Sequence, residues 1–209
     1  IICFTASQST RSHYKKGAVD VGVLKSWGGF VAVGAMAGAI AARFVTPTGL
    51  KIIFATLVLT MAFRMAFSKT AGEASRNSIS QGLQKALSSL IGFFSALMGI
   101  GGGTLSVPLL NASGHDVHRA VGTSAAIGVL IAVPAALGFV IGGWSLPDLP
   151  PFAFGYVNAL AFAMMIPAST LGAPLGVRLA HRMSKKTLNI VFASFLFISG
   201  GRMLLAILF

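Results

Sequence analysis

The stretch Met98-Gly-Ile-Gly-Gly-Gly-Thr-Leu-Ser-Val-Pro108 lies inside an apolar run that extends from Ala86 to Leu110. Such a run is long enough to cross a hydrocarbon core of about 30 Å as a helix, because a helix rises about 1.5 Å per residue. Each of the three successive glycines costs about 1 kcal/mol relative to alanine in a helix, and Pro108 lacks a backbone donor. We therefore predict a membrane-spanning segment whose helix is broken at Gly101–Gly103.

Five further runs share this length and low charge, which predicts an all-α, polytopic helical membrane protein. The six predicted spans are Trp27–Val45, Leu50–Phe67, Ala86–Leu110, Ala120–Trp144, Phe152–Ala180 and Thr187–Phe209, and Ile1–Ala6 is predicted to end a seventh. The polar connectors between them are Ser7–Ser26, Ser68–Lys85, Asn111–Arg119, Ser145–Pro151 and Arg182–Lys186. The chain has neither the strict alternation of strands nor the charged helix faces of a soluble fold.

The composition supports this prediction. Of 209 residues, 55% are apolar and 10% are charged, whereas a soluble domain has about 25% charged residues. The formal charge of +12 does not indicate nucleic-acid binding, because the basic residues form short clusters between spans and make no basic face with interleaved aromatics. We expect the lipid bilayer of the cell (inner) membrane as the surroundings. A single cysteine, Cys3, excludes an internal disulfide and a cysteine-based metal cluster.

An internal repeat appears when the chain is shifted by 138 residues. The shift pairs Gly34 with Gly172, Gly38 with Gly176, Leu50 with Leu188, Phe54 with Phe192, Arg64 with Arg202 and Met65 with Met203. The paired Gly-x-x-x-Gly and Arg-Met motifs share one register. Internal duplication is a recurrent plan of transporters, which hold their substrate between the copies.

The repeat predicts two copies of about four transmembrane helices, each with a broken glycine-rich helix. Residues 1–67 are expected to be the C-terminal part of the first copy, 68–85 a linker and 86–209 the second copy. The counterpart of the glycine cluster would precede Ile1, so we expect about two spans to be missing there. Four spans per copy imply parallel copies, whereas a re-entrant hairpin at the glycines implies inverted ones. With single crossings, seven basic residues lie on each side, so the positive-inside rule gives no orientation.

The glycine break is the first candidate for a substrate site. Irregular backbone at membrane depth occurs where it is buried in protein or lines a watery cavity, and exposed amides before a helix N-terminus favour anions. The hydroxyls of Thr104 and Ser106 would add donors. Glycines that only allow close helix packing are the alternative.

Two further sets of residues are candidates. Gly122-Thr-Ser124 opens the next span, where hydroxyls either cap the helix or line the cavity opposite the break. Arg64 and Arg202 lie inside predicted spans, which makes each a functional hypothesis. Both are near span ends, so their side chains are alternatively predicted to reach the interface.

The positions of the acids and histidines indicate the charge of the transported substrate. All four acids (Asp20, Glu73, Asp116, Asp148) and all four histidines (His13, His115, His118, His181) lie in or beside connectors. Without an intramembrane carboxylate to hold a cation or relay protons, cation transport is disfavoured. No metal site, no cofactor and no enzymatic activity are expected, since the spans hold no nucleophile–base set.

The motif Gly99-Ile-Gly-Gly-Gly-Thr-Leu-Ser-Val-Pro108, followed by Ala120-Val-Gly-Thr-Ser124, closely resembles the sulfite exporter TauE/SafE family of permeases. The connector with His13 and Gly17-Ala-Val-Asp20, and the Arg-Met end of each copy, are similar to that family too. The resemblance implies eight spans in two repeats and transport of sulfite, sulfonates or related organic anions. It assigns substrate roles to Gly99, Gly101, Gly102, Gly103, Pro108, Gly122, Thr123 and Ser124.

We therefore expect a secondary transporter of a small anion, with the break at Gly101–Gly103 supplying amides and Thr123 and Ser124 completing the site. The alternative is a non-transporting membrane scaffold in which the glycine motifs serve packing alone. The identity of the anion, the direction of transport, the coupling ion and the oligomeric state do not follow from the sequence.

Overall fold

The computed structural model describes residues 1–67, 81–144 and 149–208. Within these ranges the chain is almost entirely helical. The helices are α1 (Ile2–Tyr14), α2 (Val21–Ala41), α3 (Pro47–Phe67), α4 (Gln81–Leu97), α5 (Gly103–Ala112), α6 (Val117–Gly143), α7 (Ala159–Arg182) and α8 (Lys185–Leu208). A 3₁₀ turn, Ala42–Phe44, continues α2, and the short strands β1 (Ala153–Phe154) and β2 (Val157–Asn158) form a hairpin before α7.

Four of the described helical segments are long and apolar enough to cross a membrane, namely Val21–Phe44, Val117–Gly143, Ala159–Arg182 and Lys185–Ala206. α3 contains a shorter apolar segment, Pro47–Phe63. The chain is thus a multi-pass helical membrane protein, as predicted.

The predicted break is confirmed, because two helices, α4 and α5, occupy Ala86–Leu110 in place of one continuous helix. Gly99 and Gly101 adopt φ of +64° and +74°, in the left-handed region where glycine alone is unstrained. These two residues end one helix and redirect the chain into the next. Pro108, in contrast, lies within α5 and does not end it.

Three other boundaries differ from the prediction. The connector Ser7–Ser26 is largely helical, since α1 extends to Tyr14 and α2 begins at Val21. The span predicted to start at Phe152 starts at Ala159, where Asn158 caps the helix by accepting a hydrogen bond from Ala161 N. α4 begins at Gln81, inside the predicted linker 68–85, and residues 68–80 lie outside the described residues.

Polar contacts bring six helix ends together at one end of the bundle, which we call the basic end. His13 at the end of α1 contacts His181 at the end of α7, and Asp116 before α6 pairs with Lys185 at the start of α8. Asp20 N, before α2, donates to Thr123 Oγ1 of α6. Asn189 Nδ2 of α8 donates to the Met65 carbonyl at the end of α3. At the opposite end, Lys51 Nζ of α3 donates to the Ala206 carbonyl of α8.

α4 and α5 form a helical hairpin with both outer ends directed toward the basic end. α4 runs parallel to α2, because Lys85 lies over Phe30 and Ser89 and Phe93 lie against Gly34 and Gly38. α5 runs back toward the basic end, because Asn111 Nδ2 near its end donates to Asn189 Oδ1 near the start of α8.

The helices that the 138-residue shift pairs run in opposite directions, as in an inverted repeat. α2 leaves the basic end while its repeat partner α7 arrives there, and α3 arrives while its partner α8 leaves. Inverted repeats are a common plan among secondary transporters. Of the two arrangements that the sequence left open, the contacts select this one.

The hairpin also redistributes the basic residues between the two ends. Among lysines and arginines with described side chains, Arg43, Lys51 and Arg202 lie nearer the opposite end. Those nearer the basic end are Arg11, Lys15, Lys16, Lys25, Lys85, Arg119, Arg178, Arg182, Lys185 and Lys186. Because cytoplasmic ends carry the excess of lysine and arginine, we expect the basic end to face the cytoplasm.

This orientation is tested by single cysteines in a Cys3→Ala background. Lys186→Cys at the basic end and Thr48→Cys at the opposite end both replace exposed side chains. A membrane-impermeant maleimide is expected to label position 48 in intact cells, and position 186 only after the membrane is permeabilised. The reverse pattern would place the basic end outside the cell.

Candidate functional site

The turn between α4 and α5, residues 98–102, reaches the middle of the bundle. A Cβ at Gly102 would lie 2.5 Å from the Gly128 amide nitrogen and 2.8 Å from the Ser124 carbonyl oxygen of α6. Gly128 follows Val117, the first residue of α6, by 11 positions, which is ~16 Å along the helix axis. That is about half of a 30 Å hydrocarbon core. The glycine turn therefore lies near mid-depth, where irregular backbone needs protein or water around it.

The first turn of α5 presents amides at this depth that have no partner within the helix. The N-cap residue is Gly102, which has no side chain that could cap the helix. The first bond of the helix runs from Ser106 N to the Gly102 carbonyl, at 3.1 Å. The amides of Gly103, Thr104 and Leu105 therefore have no partner within the helix, and the helix dipole adds partial positive charge there.

Two buried hydroxyls flank the turn without a hydrogen-bond partner among the described residues. Ser106 lies on the second turn of α5 and Ser95 on the last turn of α4, and both side chains are 0% exposed. A buried hydroxyl without a partner costs about 1–3 kcal/mol. Native proteins keep such groups where an ion, a water or a ligand completes them.

Ser95 was missing from the sequence-based candidates. Its helix also carries Ser88, which is equally buried but donates to the Lys85 carbonyl at 2.8 Å. Serine in an apolar helix normally bonds to its own backbone in this way. Only its position one turn before Met98-Gly99 distinguishes Ser95 in the sequence.

The motif Gly122-Thr-Ser124 lies on α6 and meets two different neighbours. Gly122 packs closely against Ala18, because a Cβ at Gly122 would lie 2.3 Å from the Ala18 carbonyl oxygen. The Thr123 hydroxyl accepts the hydrogen bond from Asp20 N at 2.9 Å, so it is engaged with the connector before α2. Ser124 adjoins Gly102 through its carbonyl, while its hydroxyl donates to the Val121 carbonyl. Ser124 is thus the member of this motif that the fold brings to the glycine turn.

The remaining candidates lie in different surroundings. Thr104 is partly buried in the first turn of α5, and Pro108 is buried one turn further. Arg202 is exposed near the end of α8, which fits the alternative of a side chain that reaches the interface. The side chain of Arg64 lies outside the described part of the structure.

The glycine turn thus combines three features suited to an anion: free amides, a helix N-terminus and unpartnered hydroxyls. The amides and the hydroxyls can each donate a hydrogen bond without a change of protonation. Such a set hydrogen-bonds oxygen atoms of an oxyanion without a full positive charge nearby. In the described part of the chain, no group of three or more His, Cys, Asp and Glu is placed to hold a metal ion.

Comparison with known proteins finds relatives named as membrane transporters. A probable membrane transporter protein of Haemophilus influenzae is 31% identical over 153 residues, which cover 73% of this chain and 58% of that protein. One of Methanocaldococcus jannaschii is 31% identical over 117 residues, which cover 56% of this chain and 42% of that protein. The matches thus span less than two thirds of these relatives. No solved structure matches significantly.

The family comparison covers nearly the whole chain. The sulfite exporter TauE/SafE family matches residues 1–203, a range that includes the glycine turn. This is a family of membrane transporters rather than enzymes. The chain therefore belongs to the sulfite exporter TauE/SafE family.

Proposed function

We propose that the protein is a secondary transporter of a small anion, such as sulfite, a sulfonate or a related organic anion, across the cell (inner) membrane. Membership of the sulfite exporter family supports transport. The names of the two relatives, both probable membrane transporter proteins, agree with it.

The unpartnered hydroxyls of Ser95 and Ser106 carry the proposal for the substrate. They lie buried on the two helices that flank the glycine turn, and the free amides of α5 lie between them in sequence. An oxyanion with several acceptor oxygens can accept hydrogen bonds from the hydroxyls and the amides together, and the positive end of the α5 dipole favours a negative charge there. The site therefore selects an anion by hydrogen bonding rather than by a salt bridge.

The inverted arrangement supports alternating access around this site. In transporters with inverted repeats, substrate lies near the membrane midplane beside discontinuous helices, and one repeat moves against the other. The glycine turn lies between two short helices, α4 and α5. It also lies near the midplane, because it meets α6 about halfway along the first 30 Å of that helix. In this proposal the contact of Gly102 with Gly128 is the place where the two sides of the site meet.

Thermal stabilisation of the purified protein tests the proposal. A ligand that binds the native state raises its stability by about 2.7 kcal/mol at a concentration 100 times Kd. Sulfite, thiosulfate, sulfate and acetate are compared as sodium salts and taurine as its zwitterion, with several chlorides of other cations at matched ionic strength. A selective rise in melting temperature with a sulfur oxyanion or sulfonate is expected. A rise in melting temperature that depends on the cation, or no rise with any salt, would contradict an anion site.

A further inference from the structure

The ends of α1 and α7 meet at the basic end of the bundle. His13 Nδ1, in the last turn of α1, lies 2.9 Å from His181 Nε2, in the last turn of α7. The centroids of the two imidazole rings are 5.0 Å apart. Because α1 belongs to the first copy of the repeat and α7 to the second, this contact joins the two copies and brings the residues beside each histidine together.

The residues beside both histidines are basic. The backbone amides of Lys15 and Lys16 donate to the Arg11 and His13 carbonyls, which holds both lysines against the end of α1. On the other side of the contact, two arginines lie in the last two turns of α7 and a lysine lies at the start of α8. We call the five exposed side chains the α1–α7 basic cluster: Lys15, Lys16, Arg178, Arg182 and Lys186.

The acids that the structure describes are engaged elsewhere. Asp116 binds Lys185, which is therefore not counted in the cluster. Asp20 Oδ2 lies 3.6 Å from Arg119 Nη2 and 3.8 Å from His115 Nε2. Within the described ranges, no carboxylate lies within ion-pair distance of the five cluster residues. Like charges from the two copies thus face each other across the contact, and repulsion between them opposes it.

The cluster lies at the depth of the lipid headgroups. The candidate span of α7 ends at Arg182, so Arg182 lies at the membrane surface. Leu171, Leu175 and Leu179 precede it on one side of the helix and are 71%, 61% and 57% exposed. From Leu171 to Arg182 the helix rises about 16 Å, which is about half of a 30 Å hydrocarbon core. An acyl chain that lies along these leucines therefore has its phosphate beside Arg182.

We propose that the α1–α7 basic cluster binds the headgroup of an anionic phospholipid, and that this lipid stabilises the contact between the two copies. The headgroup supplies the negative charge that the described acids do not supply. A zwitterionic headgroup carries its own ammonium and leaves the net charge of the cluster unchanged. Basic clusters at the cytoplasmic ends of membrane helices are recognised sites for anionic lipids, which agrees with the orientation expected from the basic residues.

Lipid titration of the delipidated protein in detergent tests the site. Native mass spectrometry measures the fraction of protein that carries dioleoylphosphatidylglycerol or, as the zwitterionic control, dioleoylphosphatidylcholine. Lys16→Gln/Arg182→Gln removes one charge from each side of the contact. Each basic residue near the surface contributes about fivefold to affinity for an anionic lipid, so the double variant is expected to bind phosphatidylglycerol about twenty-five-fold more weakly. Undiminished binding by this variant would overturn the assignment.

A second double variant controls for net charge. Lys25→Gln/Lys85→Gln removes two exposed charges from α2 and α4, at the same end but outside the cluster. It is expected to bind phosphatidylglycerol nearly as tightly as the unmodified protein. Equal losses in the two double variants would show a general attraction to the basic end and would overturn a site at the α1–α7 contact.

Melting temperatures separate lipid binding from an effect on folding. In micelles with phosphatidylcholine, Lys16→Gln/Arg182→Gln is expected to melt at the same temperature as the unmodified protein or higher, because like charges have been removed. Phosphatidylglycerol is expected to raise the melting temperature of the unmodified protein but not that of the variant. An equal rise in both proteins would overturn the proposal. So would a lack of preference for phosphatidylglycerol in the unmodified protein, a comparison that does not require the variant to fold.

Inorganic phosphate at the same concentration distinguishes a lipid from a free anion. It is expected to give no rise in melting temperature, because it lacks the acyl chains that hold the headgroup at the cluster. A rise with phosphate that is lost in Lys16→Gln/Arg182→Gln would overturn the choice of a lipid. The cluster lies at the membrane surface and the glycine turn near mid-depth, so loss of lipid binding and loss of substrate binding are separate results.

Discussion

Replacing both Gly34 and Gly38 by alanine is expected to destabilise the protein strongly, whereas the same change at Gly172 and Gly176 is expected to leave it as stable or slightly more stable. A Cβ would lie 2.0 Å from the Ser89 carbonyl oxygen at Gly34 and 2.1 Å from the Phe93 carbonyl oxygen at Gly38. Both contacts are with backbone, so α2 and α4 have to separate. Overpacking of this kind costs about 1–3 kcal/mol per site.

The repeat supplies the matched control. Gly172 and Gly176 occupy the same register on α7, and a Cβ at either position meets nothing within 4 Å. Alanine there gains helix propensity of up to about 1 kcal/mol per residue. The measurement is the melting temperature in detergent of the two double variants beside the unmodified protein. Equal losses in both would contradict the asymmetric packing of the two copies.

Gly102→Ala is expected to weaken anion binding at least about tenfold, whereas Gly103→Ala is expected to preserve it. The backbone of Gly102 is right-handed and accepts alanine, so the effect is purely steric. Its Cβ would lie 2.5 Å from the Gly128 nitrogen and 2.7 Å from the Gly128 Cα. The start of α5 then has to move away from α6, which displaces the amides proposed to bind the anion.

Gly103 is the appropriate comparison because it is the next residue, lies in the same helix turn and has open space where its Cβ would be. Binding is measured by titration calorimetry with the anion that stabilises the unmodified protein. A loss of at least about tenfold in affinity is expected for Gly102→Ala, since one lost charge-assisted hydrogen bond is worth about 1.5–3 kcal/mol. An unchanged affinity of Gly102→Ala for the anion would show that the glycine turn does not bind it.

The broken helix was predictable from the sequence because three glycines in an apolar run are costly wherever they occur. The direction of the chain after the break was not. It follows from contacts such as Asn111 with Asn189 and Lys85 with Phe30, which join residues far apart in sequence. Inversion of the copies, and with it the orientation, therefore required the fold.

The sequence also could not predict which buried serine hydroxyl has a hydrogen-bond partner. Ser88 and Ser95 lie on one apolar helix and are equally buried, yet one bonds to its own backbone and the other finds no partner among the described residues. Thr123 was predicted beside the glycine break, whereas its hydroxyl bonds to Asp20 N. Residue type and spacing place a hydroxyl on a helix, but the neighbouring helices decide whether it is free to bind.

The most direct test of the central claim compares anion affinity and stability in Ser95→Ala/Ser106→Ala with those in Ser88→Ala. Removing unpartnered buried hydroxyls removes a desolvation cost, so the double variant is expected to melt at an equal or higher temperature without ligand. Its affinity for the anion is expected to fall roughly ten- to hundredfold or more. Ser88→Ala, which breaks a hydrogen bond away from the turn, is expected to leave affinity unchanged. A double variant that binds as tightly as the unmodified protein would contradict a site at the glycine turn.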